Sequence, residues 1–180
     1  MLVDILQKIP TEFETARTQN RMMRRDDAAQ MLHVWSDPDV TRFMNIENFS
    51  TIDQAREIIL AILQEKTANR YIIMDKMNSE LIGSFGINEL DLNTLNAEIG
   101  YELKKSYWGS GIMSEVLQTF MHITQSTTGI LTFTAKVDPE NRASIKLLEK
   151  LGFDYDKTVT ELDMNTKTLK NVKQYSRGII

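Results

Sequence analysis

The apolar positions of this chain switch between two spacings, and the switches mark out its elements. Over residues 51–67, Ile52, Ala55, Ile58, Ile59, Ile62 and Leu63 recur three or four apart, which places one apolar stripe along a helix. Ser50 or Thr51 is placed to cap its start, and Asp53 lies in the first turn, where N–H groups are free. The same spacing runs through Ile112, Val116, Phe120 and Ile123, joined by Met113, Leu117 and Met121, and predicts a helix over 111–125. Shorter helices are predicted over 26–36, with Asp26 as N-cap, and over 141–151, ended by Gly152. Strands are predicted over 11–22, 71–74, 81–87, 95–103, 130–137, 153–163 and 171–178, the second and third as a hairpin about Lys76–Ser79. Early helices, a run of three strands, then β-α-β-α-β-β describe a mixed α+β sheet. No repeat, low-complexity segment or Pro/Gly-rich linker divides the chain, so a single domain over 1–180 is expected.

The chemistry gathers at one junction. The strand Ala97–Leu103 is followed by Trp108-Gly109-Ser110-Gly111-Ile112-Met113-Ser114 and then by the long helix. Glycines let a backbone approach a ligand closely, and the first turn of a helix offers free N–H groups at its positive end. Strand, glycine loop and helix together suit a phosphorylated ligand. A P-loop is excluded, because no Gly-Lys-Ser/Thr ending is present. A dinucleotide fingerprint lacks its third glycine, since Ser114 follows Gly109 and Gly111, and the loop lies past mid-chain.

A second segment narrows the choice. Val137-Asp138-Pro139-Glu140-Asn141-Arg142-Ala143-Ser144 leads into Leu147-Leu148-Glu149-Lys150-Leu151-Gly152-Phe153. Together the two segments resemble the GNAT superfamily of acetyl-CoA-dependent N-acetyltransferases, in its RimJ/RimL-like branch. The first resembles that family's pyrophosphate loop, Gln/Arg-x-x-Gly-x-Gly/Ala, with Trp108 and Met113 in the first and last places. The second is similar to the branch's V-x-P-x-N-x-A-S…L-x-K-x-G-F signature. Glu14 to Ala28 and Ser36 to Arg42 fit as well, except that Thr18 and Asn20 stand where the branch usually has leucines, which bears on the packing of the first strand.

The resemblance implies a central, mostly antiparallel sheet flanked by helices and splayed between the strand ending near Leu103 and the one beginning near Ile130. It implies acetyl-CoA as donor and direct transfer to an amine, with no covalent enzyme intermediate. The Tyr101 N–H is then expected to face the thioester carbonyl, and the Leu103 N–H to bond the pantetheine arm. The amides of Gly109, Ser110, Gly111, Ile112, Met113 and Ser114 are expected to hold the pyrophosphate. Two readings stand for Trp108, beside the cofactor or in the core. Two also stand for Lys104 and Lys105, phosphate contacts or solvated surface. Asn141 is a natural N-cap for Ser144 and matches a pantetheine contact. Ser144 matches a serine near the CoA sulfur, where it protonates the leaving thiolate, or else it is a second cap. For the general base the candidates are Glu98, which otherwise pairs with a neighbouring strand, and Glu161 or Asp163 in the late hairpin. Glu102 shares a strand face with Glu98. Dimers are common in the branch, so a homodimer is an expectation, although no interface signal is visible.

Composition bounds the rest. A chain of 180 residues can bury a full core, and 42% apolar with 26% charged residues is ordinary for a globular protein. With no cysteine, disulfides and thiolate chemistry are excluded. His33 and His122 fall on separate helices, solvent-facing rather than ligands, so no metal is expected. No apolar run reaches the ~20 residues of a membrane span. Met1–Pro10 is too short for a leader and carries Asp4, so a cytoplasmic location is expected. A net charge of -4 argues against direct nucleic-acid binding and mildly favours a cationic acceptor. The acceptor stays open between a protein N-terminal α-amine and a small amine such as a polyamine, amino acid or aminoglycoside. A CoA-binding module without activity is the alternative outside catalysis.

Overall fold

The computed structural model describes residues 1–47 and 49–178. Eight strands form one open sheet: β1 (Glu12–Glu14), β2 (Thr18–Met22), β3 (Tyr71–Asp75), β4 (Leu81–Asp91), β5 (Asn96–Leu103), β6 (Thr132–Val137), β7 (Asp154–Leu162) and β8 (Leu169–Gly178). Their order is β1-β2-β3-β4-β5-β6-β8-β7. Every neighbouring pair is antiparallel except β5 and β6. The helices are α1 (Asp4–Gln7), α2 (Ala28–Trp35), α3 (Pro38–Thr41), α4 (Ile52–Gln64), α5 (Ile112–Thr128) and α6 (Arg142–Lys150).

Alternation along the strands divides the core in two. Tyr71 and Ile73 face the cluster built with α5 and α6, whereas Ile72 between them faces α2 and α4. The first cluster centres on Phe120, whose ring packs 5.0 Å from Phe85 and 5.4 Å from Tyr71. Phe13, from β1, stacks on the same ring at 6.2 Å.

Local signals located the elements, and long-range bonds trimmed them. Thr51 caps α4 as expected, its Oγ1 accepting from the Gln54 N–H while Gln54 Oε1 accepts from the Thr51 N–H. The helix stops at Gln64 rather than 67, because the Lys66 and Thr67 carbonyls accept the N–H groups of Val3 and Leu90. The strand predicted over 11–22 is two strands. Its break is a buried hydroxyl turn, in which Thr15 Oγ1 bonds Thr18 Oγ1 at 2.8 Å. Thr18 and Asn20 are buried and satisfied, the Asn20 amide donating to Thr18 Oγ1 and to the Phe13 carbonyl. Asp26 is not the N-cap of α2. A 3-10 turn over Arg25–Asp27 precedes that helix, and Asp27 is the residue that accepts the Arg24 N–H and a two-pronged contact from Arg21. The short helices α1 and α3 were not foreseen.

Phe120→Ala removes the ring at the meeting point of α5, β1, β3 and β4. Chemical denaturation should show a loss of about 3–5 kcal/mol with an unchanged denaturant slope.

Candidate active site

β5 and β6 run parallel but stay in register only from Asn96–Thr132 to Glu98–Thr134. Beyond Glu98 they part. The direction of the freed β5 amides follows from the other edge. The Lys104 N–H donates to the Ile82 carbonyl on β4 at 2.7 Å, and Glu102 and Gly100 lie opposite Ser84 and Gly86. Hydrogen bonding alternates along an antiparallel pair, so the Tyr101 and Leu103 N–H groups point away from β4, into the gap. The splay therefore lies between the two strands that the resemblance implied, and both amides are directed into it.

The glycine loop lies at the mouth of this gap. Gly109 and Gly111 have φ of 71° and 78°, a region that favours glycine. Gly111 starts α5, and its carbonyl accepts the Glu115 N–H. The six consecutive amides from Gly109 to Ser114 donate to no protein acceptor among the described residues. Such a run of orphan donors is what a diphosphate needs. Arg17, in the β1–β2 turn, clamps the loop from behind by donating to the Ser110 carbonyl at 2.8 Å and pairing with Glu115 at 3.3 Å. The sequence contains no local trace of that clamp, since its partners lie 93 and 98 residues away. Trp108 is 48% exposed, not in the core, and its indole donates to the Leu103 carbonyl on the gap side. Lys104 and Lys105 are held by Glu80 and Asp39.

On the other wall, Asn141 caps α6 by accepting the Ser144 N–H at 3.2 Å. Ser144 Oγ lies 2.5 Å from the Tyr101 hydroxyl. Sequence reasoning considered only the amide of Tyr101, yet the side chain links β5 to α6 across the gap. Burial raises the Tyr101 phenol from 10.0 to about 12, while the Ser144 contact pulls it slightly back. At neutral pH the phenol therefore keeps its proton.

A cleft of about 1090 Å³ joins these parts and continues toward α2 and the β7–β8 hairpin. Glu98 and Glu161 both line it. Glu98 pairs with Lys136 on β6 at 3.2 Å, the cross-strand arrangement that was its alternative reading. Glu161 takes neither a cation nor a hydrogen bond among the described residues. Asp163 lies outside the lining; its carboxylate accepts the N–H groups of Asn165 and Thr166 and contacts Lys170 at 3.5 Å. Those contacts hold its pKa below the ordinary carboxylate range. The Asp-x-Asn-Thr composition of this turn was the signal that separates the two acids. Glu102 is buried and saturated, accepting from the Trp35 indole, the Ser84 hydroxyl and the Arg70 guanidinium. Asn45 straps the far end of the cleft, donating to the Leu162 carbonyl and accepting the Met164 N–H. The two histidines are exposed, and no group of three metal-ligating side chains occurs among the described residues. Among those residues no helix is long and apolar enough to cross a membrane.

Residues 17–154 match the acetyltransferase (GNAT) domain. The chain is 37% identical over 165 residues to an uncharacterized N-acetyltransferase, p20, of Bacillus licheniformis, covering 90% of this chain and 93% of that one. RimL, a ribosomal L7/L12 alpha-N-protein acetyltransferase solved in complex with coenzyme A, has the same fold, with a TM-score of 0.80 and 21% identity over 95% of this chain and 97% of its own. The Vibrio cholerae spermidine N-acetyltransferase, solved with CoA and spermine, superposes with a TM-score of 0.78 and 16% identity over 91% and 96%. The chain belongs to the GNAT family. It is an acetyltransferase.

The raised Tyr101 phenol makes a pH prediction. Its folded value lies above its unfolded one, so its contribution to stability is complete below pH 10 and is lost as pH rises toward 12. Ultraviolet difference titration of the wild type against Tyr101→Phe should place the missing phenolate transition near 12. A transition at the ordinary value of about 10 would mean that the hydroxyl is open to solvent.

Proposed function

We propose that this enzyme transfers the acetyl group of acetyl-CoA directly to a primary amine, and that the amine is the N-terminal α-amine of a polypeptide. The observation that carries the reading is the run of orphan amides from Gly109 to Ser114, opening onto a gap lined by two further free amides. The donor supplies an activated thioester. The loop amides bind the diphosphate, and the Asn141 side chain meets the pantetheine arm. The Leu103 N–H bonds that arm too. The Tyr101 N–H donates to the thioester carbonyl, where charge develops, and a donor fixed in a sheet does this without reorganising.

Two protons must move. The attacking amine loses one, and Glu161 is the cleft carboxylate free to take it, directly or through a water. The departing thiolate gains one from Ser144 Oγ–H, which takes the proton of the Tyr101 hydroxyl in turn, and the phenol recovers its proton from solvent once the products leave. Charge balance in the cleft favours a singly charged acceptor. Glu98, Glu102 and Glu140 are each matched by Lys136, Arg70 and Arg42. A polyamine carries several cations and needs unmatched acids, of which the lining offers Glu161 and Asp138, the latter already accepting the Glu140 N–H.

Acetylation of a panel of peptides, polyamines, amino acids and aminoglycosides tests the acceptor. Peptide N-termini should be turned over with the highest kcat/KM. Turnover confined to small amines would replace this reading with the second one. Glu161→Gln should lower kcat/KM by roughly 10²-fold, whereas Glu98→Gln should have a much smaller effect. Ser144→Ala should lower kcat by about tenfold or more with little change in acetyl-CoA affinity.

A further inference from the structure

The bulge in β4 brings one side chain with unused donors into the cleft. Register with β5 shifts between Ile87 and Glu89, so Asn88 is the extra residue, and bulges re-aim side chains beside functional sites. Asn69 pins the bulge, its N–H donating to the Ile87 carbonyl at 2.9 Å and its Oδ1 accepting the Ile87 N–H at 2.9 Å. The Asn88 side chain lies across Gly100 on β5, where an added Cβ would stand 2.5 Å from Asn88 Nδ2. Arg70 sets which way the amide points. Its Nη1 donates to Asn88 Oδ1 at 3.2 Å and its Nε to Ser84 Oγ at 2.9 Å, while its third nitrogen pairs with the buried Glu102. A guanidinium only donates, so Oδ1 is turned to Arg70 and both N–H groups of Nδ2 are left over. They donate to no protein acceptor among the described residues, and Asn88 is exposed in the lining of the cleft.

Alternation along β5 puts Gly100 on the face of Glu98 and Glu102, opposite the Tyr101 side chain that reaches Ser144. The N–H that follows Gly100 in the chain is the Tyr101 amide, the group assigned above to the thioester carbonyl. The free donors of Asn88 therefore stand beside the point of attack, on the face away from Ser144. Such donors need a lone pair and repel a cation. We propose that Asn88 Nδ2 donates to the first carbonyl oxygen of the acceptor, on the carbon next to the one that bears the attacking amine. The inference rests on the peptide reading above and sharpens it, because the site then selects an amine with a carbonyl beside it. A polyamine offers only methylenes and further ammonium groups at that place. Asn88 binds and orients the acceptor and moves no proton. Arg70, fixed by Ser84 and Glu102, holds it in that orientation.

Steady-state kinetics with a matched pair of acceptors tests this. One is the best peptide of the panel; the other is its isostere, in which a C=C bond replaces the first peptide bond and removes the carbonyl oxygen. The preference for the peptide, as a ratio of kcat/KM values, should be about tenfold smaller in Asn88→Ala than in the wild type. Comparing the two ratios cancels the intrinsic difference between the two amines. Asn88→Asp, which keeps the size and loses the donors, should shrink the ratio as Asn88→Ala does. The KM for acetyl-CoA should stay at its wild-type value in both variants, which shows that the donor side is folded. A ratio unchanged in both variants, with activity lost on the two acceptors alike or on neither, would overturn the proposal and leave peptide acetylation standing. A wild type that acetylates no peptide would overturn the peptide reading and this inference together.

Discussion

The parting of β5 from β6 is the constraint on which the site depends. A parallel pair normally extends until one strand ends, satisfying every amide along it. Here β6 follows β5 for three positions and then diverges, although β5 continues for five more residues. The divergence leaves the Tyr101 and Leu103 amides aimed at empty space between two strands. It also opens the sheet beside the start of α5 and the start of α6. A sheet closed along this seam would have no room for an extended ligand arm, and the glycine loop would face a wall.

The open seam needs support from elsewhere, and the polar cross-links supply it. Ser144 meets Tyr101 across the gap. Arg17 ties the glycine loop to the β1–β2 turn, and Glu98 with Lys136 bridges the two strands just where they separate. Deeper in, Glu102 is held by Trp35, Ser84 and Arg70, so the β5 segment facing the gap is fixed from below. Removing one member of such a buried set strands a charge, which typically costs about 3–5 kcal/mol. The rigidity of the free amides therefore comes from side chains that do not touch them.

What was legible in the sequence is what local chemistry decides. The stripe of α4 and its Thr51–Gln54 cap are adjacent in the chain, so its start was readable; its end is set by Val3 and Leu90 and was not. Glycines at positive φ before an apolar helix announced the loop, and Asn141 announced its own cap. The side chains that brace the site were invisible because their partners are distant. Arg17 meets Ser110, and Arg70 meets Glu102, from elements that only the folded sheet brings together. Glu161 and Asp163 are two apart, so strand alternation puts them on one face and cannot rank them. The turn after β7 ranks them, by taking Asp163 for its own backbone.

The central claim is that the orphan backbone amides are the ligand-binding groups. Titration of the isotope-labelled protein with CoA, followed by amide nuclear magnetic resonance, tests it most directly. The account predicts large downfield shifts confined to Gly109 through Ser114, with Tyr101 and Leu103 moving as the pantetheine arm enters. Binding that leaves those eight amides unmoved, while shifting residues elsewhere, would contradict it.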